Sequence, residues 1–325
     1  MPVALEFSVP CSAYAFPVGV INGRHVLRFG ADVLAHALFV TGRAPGDVAG
    51  HGMSSVWEWV HRTSLMPSYV RIGNGGRLVR SALALSLDRS EKVALSYAIG
   101  QAVTGIFCRQ KVGATHLMHV DRYASRHGTT FGVGRTRPDF IGRTPLGWVV
   151  AEAKGRSNAM ESDLRSKLAT QKRSILSIEG AAPWLALGCV ASFPPPNGTM
   201  IVDAFDPVKN QPEAIRIDLS SEDFLRAYYE PFAAAIDFGD RVDVTDAMIS
   251  SELAGLGVGV GMPRSSYSAL REGPDTQEPF STVVGRAIDE LGGDAQFPDG
   301  TVVTVTWDDA LSTADWPADM EREPR

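Results

Sequence analysis

The chain has 325 residues, 44% of them hydrophobic, and a formal net charge of -6 at pH 7. That content is enough to fill a globular core, and no uninterrupted apolar run approaches the roughly 18 to 20 residues that cross a bilayer, so a soluble protein without membrane contact is expected. The opening "MPVALEFSVPCSAYAF" lacks the basic start of a signal peptide, which makes the cytoplasm the expected location. Cys11, Cys108 and Cys189 are too widely spaced for a zinc knuckle or a disulfide framework and read as reduced core residues.

The charge is uneven. Between Asp121 and Arg173 there are eleven Lys/Arg against five Asp/Glu, whereas from Asp203 to the end there are nine against twenty-five. A basic middle beside an acidic C-terminal part can gather a polyanion at one face and exclude it from another.

In chain order, residues 1–87 read as an α+β region. Asn22-Gly23 in "VGVINGRHVLRF" signals a two-residue hairpin between two β-rich runs, "ADVLAHALFV" a short helix, Gly42 to Gly52 a turn-rich break, and "MSSVWEWVHRT" another helix. None carries a chemical motif, and scaffold, substrate contact and oligomer contact stay open as roles. "SEKVALSYAIGQAVTGIFCRQ", Ser90 to Gln110, reads as a buried helix with Ser90 as N-cap and Val93, Tyr97, Gly100/Gln101 and Thr104 at helical spacing. Gly100 and Gly105 each weaken a helix by roughly 1 kcal/mol relative to Ala, which signals close packing against another element.

"THLMHVDRY" reads as a strand, and "PDFIG" and "GWVVAEAKG" as two more around "RTPLG". "SNAMESDLRSKLATQKRSILSIEG" has the pattern of a helix with Leu164, Leu168, Ile175 and Ile178 as its apolar stripe, followed by the buried strands "PWLALGCVASF" and "MIVDAF". Over residues 88–205 this order specifies an α/β fold with a mixed central β-sheet flanked by helices. Residues 206–325 form an acidic C-terminal region. It holds an amphipathic helix, "SEDFLRAYYEPFAAAI", ended or kinked near Pro231, then "GLGVGVG" as a hinge or turn, "TVVTVTWDD" as an exposed or edge strand, and a loose tail.

Chemistry concentrates in "TRPDFIGRTPLGWVVAEAKGR", Thr136 to Arg156. In a strand from Trp148 to Lys154, Glu152 and Lys154 share one face and Ala153 takes the other. With Gly142 to Gly147 as the connection, Ile141 pairs with Trp148 and Asp139 with Val150. Asp139 then lies diagonal to Glu152, at about 7 to 8 Å, close enough for both carboxylates to lean over one divalent cation. Asp139, Glu152 and the backbone carbonyl of Ala153 offer hard oxygens suited to Mg2+ or Mn2+, and Lys154 sets an ammonium beside them, a combination fit for phosphodiester hydrolysis. A bare Glu-x-Lys is far more often an edge-strand ion pair. Here it comes with Pro-Asp, a hairpin-length gap, an apolar strand and a following helix. His116, His119 and Asp121 do not make a comparable set, because His116 and His119 fall on opposite faces of a regular strand.

In these residues the stretch from about Ser90 to Phe205 resembles the PD-(D/E)XK nuclease superfamily, the restriction-endonuclease-like fold. The resemblance implies a restriction-endonuclease-like core, with Asp139 as the motif's first acid, Glu152 as the second and Lys154 as its lysine. The family's first helix often bears a further metal-directed glutamate. Gln101 stands there in this chain, and a neutral amide adds no charge for a second metal. Some relatives carry a glutamine in the helix after the lysine, matched here by Gln171, with Lys167 and Ser174 one helical turn away. Arg135, Arg137 and Arg156 are the expected contacts to a nucleic-acid backbone.

The implied activity is Mg2+-dependent (or Mn2+-dependent) hydrolysis of DNA phosphodiester bonds through a metal-activated water, by a protein that acts alone, as a homodimer or with a partner protein. The competing reading is a catalytically inactive nucleic-acid-binding or protein-interaction module of the same fold, motivated by Gln101 and the acidic C-terminal part. In a third, the acidic region shields the basic cleft or docks a partner.

Overall fold

The computed structural model describes residues 6–17, 22–43, 51–124, 137–159, 175–195, 198–206, 215–242, 245–253, 255–272, 278–292 and 295–311. Along the chain run β1 (Glu6–Tyr14), β2 (Gly23–Gly30), α1 (Ala31–Val40), α2 (Met53–Tyr69), β3 (Val70–Ile72), β4 (Leu78–Arg80), α3 (Ala82–Ser86) and α4 (Arg89–Phe107). Then follow β5 (His116–His119), α5 (Val120–Ala124), β6 (Phe140–Thr144), β7 (Gly147–Arg156), β8 (Ile175–Ile178), β9 (Leu185–Ser192), β10 (Ile201–Phe205) and β11 (Ile215–Ile217). The last part holds α6 (Ser221–Phe238), β12 (Asp240–Val242), β13 (Met248–Leu253), β14 (Val258–Pro263), α7 (Arg264–Glu272), α8 (Phe280–Leu291), β15 (Val302–Val305) and α9 (Asp308–Leu311). No helix among the described residues is long and apolar enough to cross a membrane.

A seven-stranded sheet in the order β2-β1-β10-β9-β7-β6-β5 forms the centre. It is mixed: β1 lies parallel to β10 and β7 parallel to β9, while the other pairs are antiparallel. The α/β architecture read from the sequence is therefore present, with α4 packed on β7 and β9 and α1 packed on α4. The strands of the first segment continue this same sheet. Asn22-Gly23 is not a two-residue turn: β2 pairs with Glu6–Tyr14, and the Asn22 side chain closes the longer connection by bonding the Phe16 N–H at 3.0 Å and its carbonyl at 3.1 Å.

Helix α4 starts one residue before Ser90. Asp88 caps it, accepting from the Ser90 and Glu91 amides, while the Glu91 carboxylate returns to the Asp88 N–H as a capping box. "HLMHVDRY" is a strand only to His119, and Asp121 sits on the short helix α5. Leu164 and Leu168 of the expected apolar stripe lie outside the described residues, whereas Ile175 and Ile178 belong to β8, which pairs in parallel with β11 instead of continuing a helix. A Ser-Ile-Leu-Ser-Ile run with buried β-branched residues suits that pairing.

Pro231 does not end α6, which runs on to Phe238. Proline cannot bond the carbonyl four residues back, at Ala227, but Arg122 Nη2 donates to that oxygen at 2.6 Å and to the Tyr228 carbonyl at 3.2 Å. Burial of Tyr228, Tyr229 and Phe232 around the proline holds the helix together.

The acidic C-terminal region carries a second sheet, β12-β13-β14-β15, with β15 at its edge as expected. Of the glycine run, Gly255 and Gly257 form the expected turn, both at positive φ, while Gly259 and Gly261 lie in β14, alternating with buried Val258, Val260 and Met262. A Cβ on Gly259 would fall 2.4 Å from Thr304 Oγ1, so glycine lets β14 and β15 close up. This region is also keyed into the core through buried Asp299. Its carboxylate takes His36 Nε2 at 3.0 Å, the Tyr228 hydroxyl, and the Thr301 N–H and Oγ1 at 3.0 and 2.7 Å. The Asp299 carbonyl accepts from Tyr229 at 2.5 Å, and His116 Nε2 meets the Tyr229 hydroxyl at 3.0 Å.

Candidate active site

The hairpin that carries the motif is tighter than its sequence suggests. Thr144 pairs with Gly147, leaving Pro145 and Leu146 as the turn, and Ile141 pairs with Val150 instead of Trp148. The Thr144 hydroxyl fixes this turn, donating to the Gly147 carbonyl at 2.9 Å and accepting from the Leu146 N–H at 3.1 Å. The two-residue shift keeps every side chain on its expected face and moves Asp139 from a diagonal position to one directly across from Glu152.

At that point β6 has ended and the ladder gives way to side chains. Asp139 Oδ2 accepts the Ala153 N–H at 2.9 Å, Glu152 Oε2 accepts the Asp139 N–H at 3.1 Å, and Lys154 Nζ donates to Glu152 Oε1 at 2.5 Å. The N–H and C=O of one strand residue point to the same side, so the Ala153 carbonyl is directed towards Asp139 as well. Glu152 is completely buried, and Lys154 is 24% exposed at its side chain.

Burial and the neighbouring Asp139 charge push the Glu152 carboxyl up from 4.5 to about 7, against the pull of Lys154. Burial also raises Asp139, with Lys154 and the Ala153 N–H opposing the rise and Asp121 adding to it. Two carboxylates thus face one ammonium, and Asp139 Oδ1 has no hydrogen-bond partner among the described residues. Among those residues no group of three or more His, Cys, Asp or Glu side chains is arranged to hold a metal. The donors at hand are two carboxylates and one backbone carbonyl, a hard-oxygen set that suits Mg2+ or Mn2+, which keep several waters.

The other expected site residues are placed differently. Arg135, Lys167, Gln171 and Ser174 lie outside the described residues. Arg137 grips Asp121 with two bonds, Nε to Oδ1 at 2.6 Å and Nη2 to Oδ2 at 2.7 Å. Arg156 shares its face of β7 with Glu152 and Lys154, and its buried Nε has no partner among the described residues. Gln101 is 1% exposed, and both ends of its amide are engaged: Oε1 accepts from Arg62 Nη2 at 3.2 Å and Nε2 donates to the Tyr97 hydroxyl at 2.7 Å.

Helix α4 reaches the site through two glycines. A Cβ on Gly155 would lie 1.5 Å from the Ser96 carbonyl oxygen and 3.0 Å from the Tyr97 nitrogen, and a Cβ on Gly100 would lie 2.6 Å from Gly155 Cα. The close packing read from Gly100 is this contact with β7. It sets Tyr97 beside the residue after Lys154, and the Asp139 and Glu152 charges add to the effect of burial in raising the Tyr97 hydroxyl pKa. Val93 and Tyr97, placed by spacing in a buried helix, are 59% and 43% exposed.

Sequence reasoning missed Tyr97, Arg62 and Asp121 as neighbours of the site. Tyr97 stands four residues before Gln101, a legible signal. Arg62 comes from α2 and left no local trace. Comparison of the chain with protein-family models, with curated proteins and with solved structures returns no match.

Proposed function

We propose that this protein is a Mg2+-dependent nuclease of the PD-(D/E)XK type that hydrolyses DNA phosphodiester bonds, with a restriction-endonuclease-like core formed by α4, β5, β6, β7 and β9. The observation that carries the reading is the fully buried Glu152 carboxylate beside half-buried Asp139, the pair opposed by a single ammonium at the place where β6 stops pairing. An edge-strand ion pair needs neither the second carboxylate nor burial, and a buried excess of negative charge is costly unless a cation joins it.

Asp139, Glu152 and the Ala153 carbonyl would hold the ion. Mg2+ or Mn2+ bound there supplies a Lewis acid that polarises the phosphodiester and acidifies water. Lys154, anchored on Glu152, presents an ammonium that orients the attacking water and offsets the charge that builds on the phosphorus oxygens. Arg156 extends the same row of side chains and can bind a flanking phosphate. The basic stretch around the motif supports a polyanionic substrate, and DNA over RNA follows the family resemblance.

The test is cleavage of supercoiled, linear and single-stranded DNA with Mg2+, Mn2+ or EDTA by wild type, Asp139→Ala and Lys154→Ala. Metal-dependent nicking lost in both variants is the expected result. Cleavage that survives in Lys154→Ala removes that residue from the mechanism. Folded wild type that binds DNA without metal and never cuts it supports the second reading, a non-catalytic binding module, which the engagement of Gln101 by Arg62 and Tyr97 favours.

A further inference from the structure

The geometry points to Tyr97 as a further substrate contact of this site, its hydroxyl donating a hydrogen bond to a phosphate oxygen of the bound nucleic acid. The inference rests on the nuclease reading and adds to it a residue that the motif does not contain.

The direction of the hydroxyl follows from its partners. Arg62 Nη2 can only donate, so the Gln101 atom that meets it at 3.2 Å is the amide oxygen. The Gln101 NH2 group is then the one that faces Tyr97, and it donates to the phenolic oxygen at 2.7 Å. The tyrosine oxygen is an acceptor in that bond, and its own hydrogen must go elsewhere. Among the described residues it has no acceptor. Arg62 is itself held from behind, by the Leu38 carbonyl at 3.3 Å and the Glu58 carboxylate at 3.9 Å, so the relay Arg62, Gln101, Tyr97 is fixed at its buried end and free at the hydroxyl.

The helix places the Tyr97 backbone beside the motif strand. The Tyr97 nitrogen lies within 3.0 Å of the place where a Cβ on Gly155 would stand, directly after Lys154. Asp139 and Glu152 are near enough to act on the phenol, and with burial they hold it protonated at neutral pH, as a donor must be. The side chain is 43% exposed, so a ligand can reach it. A phosphate brought to Asp139 and Glu152 by a divalent ion supplies the acceptor that the hydroxyl lacks.

Tyr97→Phe removes only the oxygen and keeps the half-exposed ring, and Val93→Ala, one turn earlier on the same helix, is the control. Two readouts are taken: single-turnover cleavage in Mg2+, and affinity in Ca2+ for a duplex with phosphorothioate linkages. Tyr97→Phe is expected to slow cleavage about tenfold or more and to weaken binding about threefold or more, since a hydrogen bond to a charged acceptor is lost. Val93→Ala is expected to change neither.

Unchanged rate and affinity in Tyr97→Phe, with cleavage abolished by Asp139→Ala, overturns the role of Tyr97 and leaves the nuclease standing. If wild type binds but does not cut, unchanged affinity in Tyr97→Phe overturns it equally. If wild type neither cuts nor binds with any metal, the nuclease reading falls and this inference with it.

Discussion

Replacing Glu152 by Gln separates a functional carboxylate from a structural ion pair. In the metal-free protein Glu152 is completely buried beside Asp139, and its carboxyl is pushed up from 4.5 to about 7. The folded state therefore binds a proton more tightly than the unfolded chain. Stability from this group is fully present below pH 4.5 and is lost as the pH rises through about 7. At about 1.4 kcal/mol per tenfold change in proton affinity, the loss is roughly 3 kcal/mol.

Glutamine keeps the shape and removes the charge. It can accept from only one of the two donors, the Asp139 N–H and Lys154 Nζ, and Lys154 can turn to water, so about 1 kcal/mol is given back. Glu152→Gln should accordingly be more stable than wild type by about 2 kcal/mol at pH 8 in EDTA, a midpoint rise of roughly 3 to 6 °C, and equal to it near pH 5. Mg2+ should raise the wild-type midpoint and leave that of the variant unchanged. Thermal melts at both pH values, with EDTA or Mg2+, make the measurement. A variant less stable than wild type at pH 8 in EDTA would mean that Glu152 and Lys154 form a net stabilising structural pair, and the reasoning from charge excess would be wrong.

Arg156→Ala should weaken DNA binding evenly across sequences and lower the salt dependence by about one phosphate contact, read from anisotropy titrations at several salt concentrations. An unaltered slope would remove Arg156 from the interface. Gly155→Ala places a methyl 1.5 Å from the Ser96 carbonyl, a backbone atom that cannot move aside alone, and should cost about 3 kcal/mol or more in urea unfolding. A midpoint equal to wild type would show that α4 does not sit against β7 as described. Asp299→Ala leaves His36, Tyr228 and Thr301 without their buried acceptor and should cost about 3 to 5 kcal/mol by the same assay, with one cooperative transition in the wild type.

The local signals were legible wherever one segment decides its own structure. Alternation put Glu152 and Lys154 on one face, and the buried strands β7, β9 and β10 follow from their apolar runs. Register was misplaced by two residues because the Thr144 hydroxyl stabilises a shorter turn than the glycines at 142 and 147 suggested. That α6 continues past Pro231 and that β14 takes up Gly259 and Gly261 was not legible for a related reason: a long-range partner, Arg122 in one case and Thr304 in the other, compensates what each residue lacks.

By itself the sequence determined the candidate chemistry: Asp139, Glu152 and Lys154, two carboxylates and an ammonium at strand spacing, since alternation is a property of the extended chain. Only the tertiary structure decided that a buried Glu152 and a half-buried Asp139 meet against one cation, and that Arg62 and Gln101 make the Tyr97 hydroxyl oxygen an acceptor. It likewise decided that the acidic C-terminal region is anchored in the core through Asp299. Those facts depend on residues far apart in sequence sharing a low-dielectric space, where charge and hydrogen-bond direction are set by neighbours that no local pattern specifies.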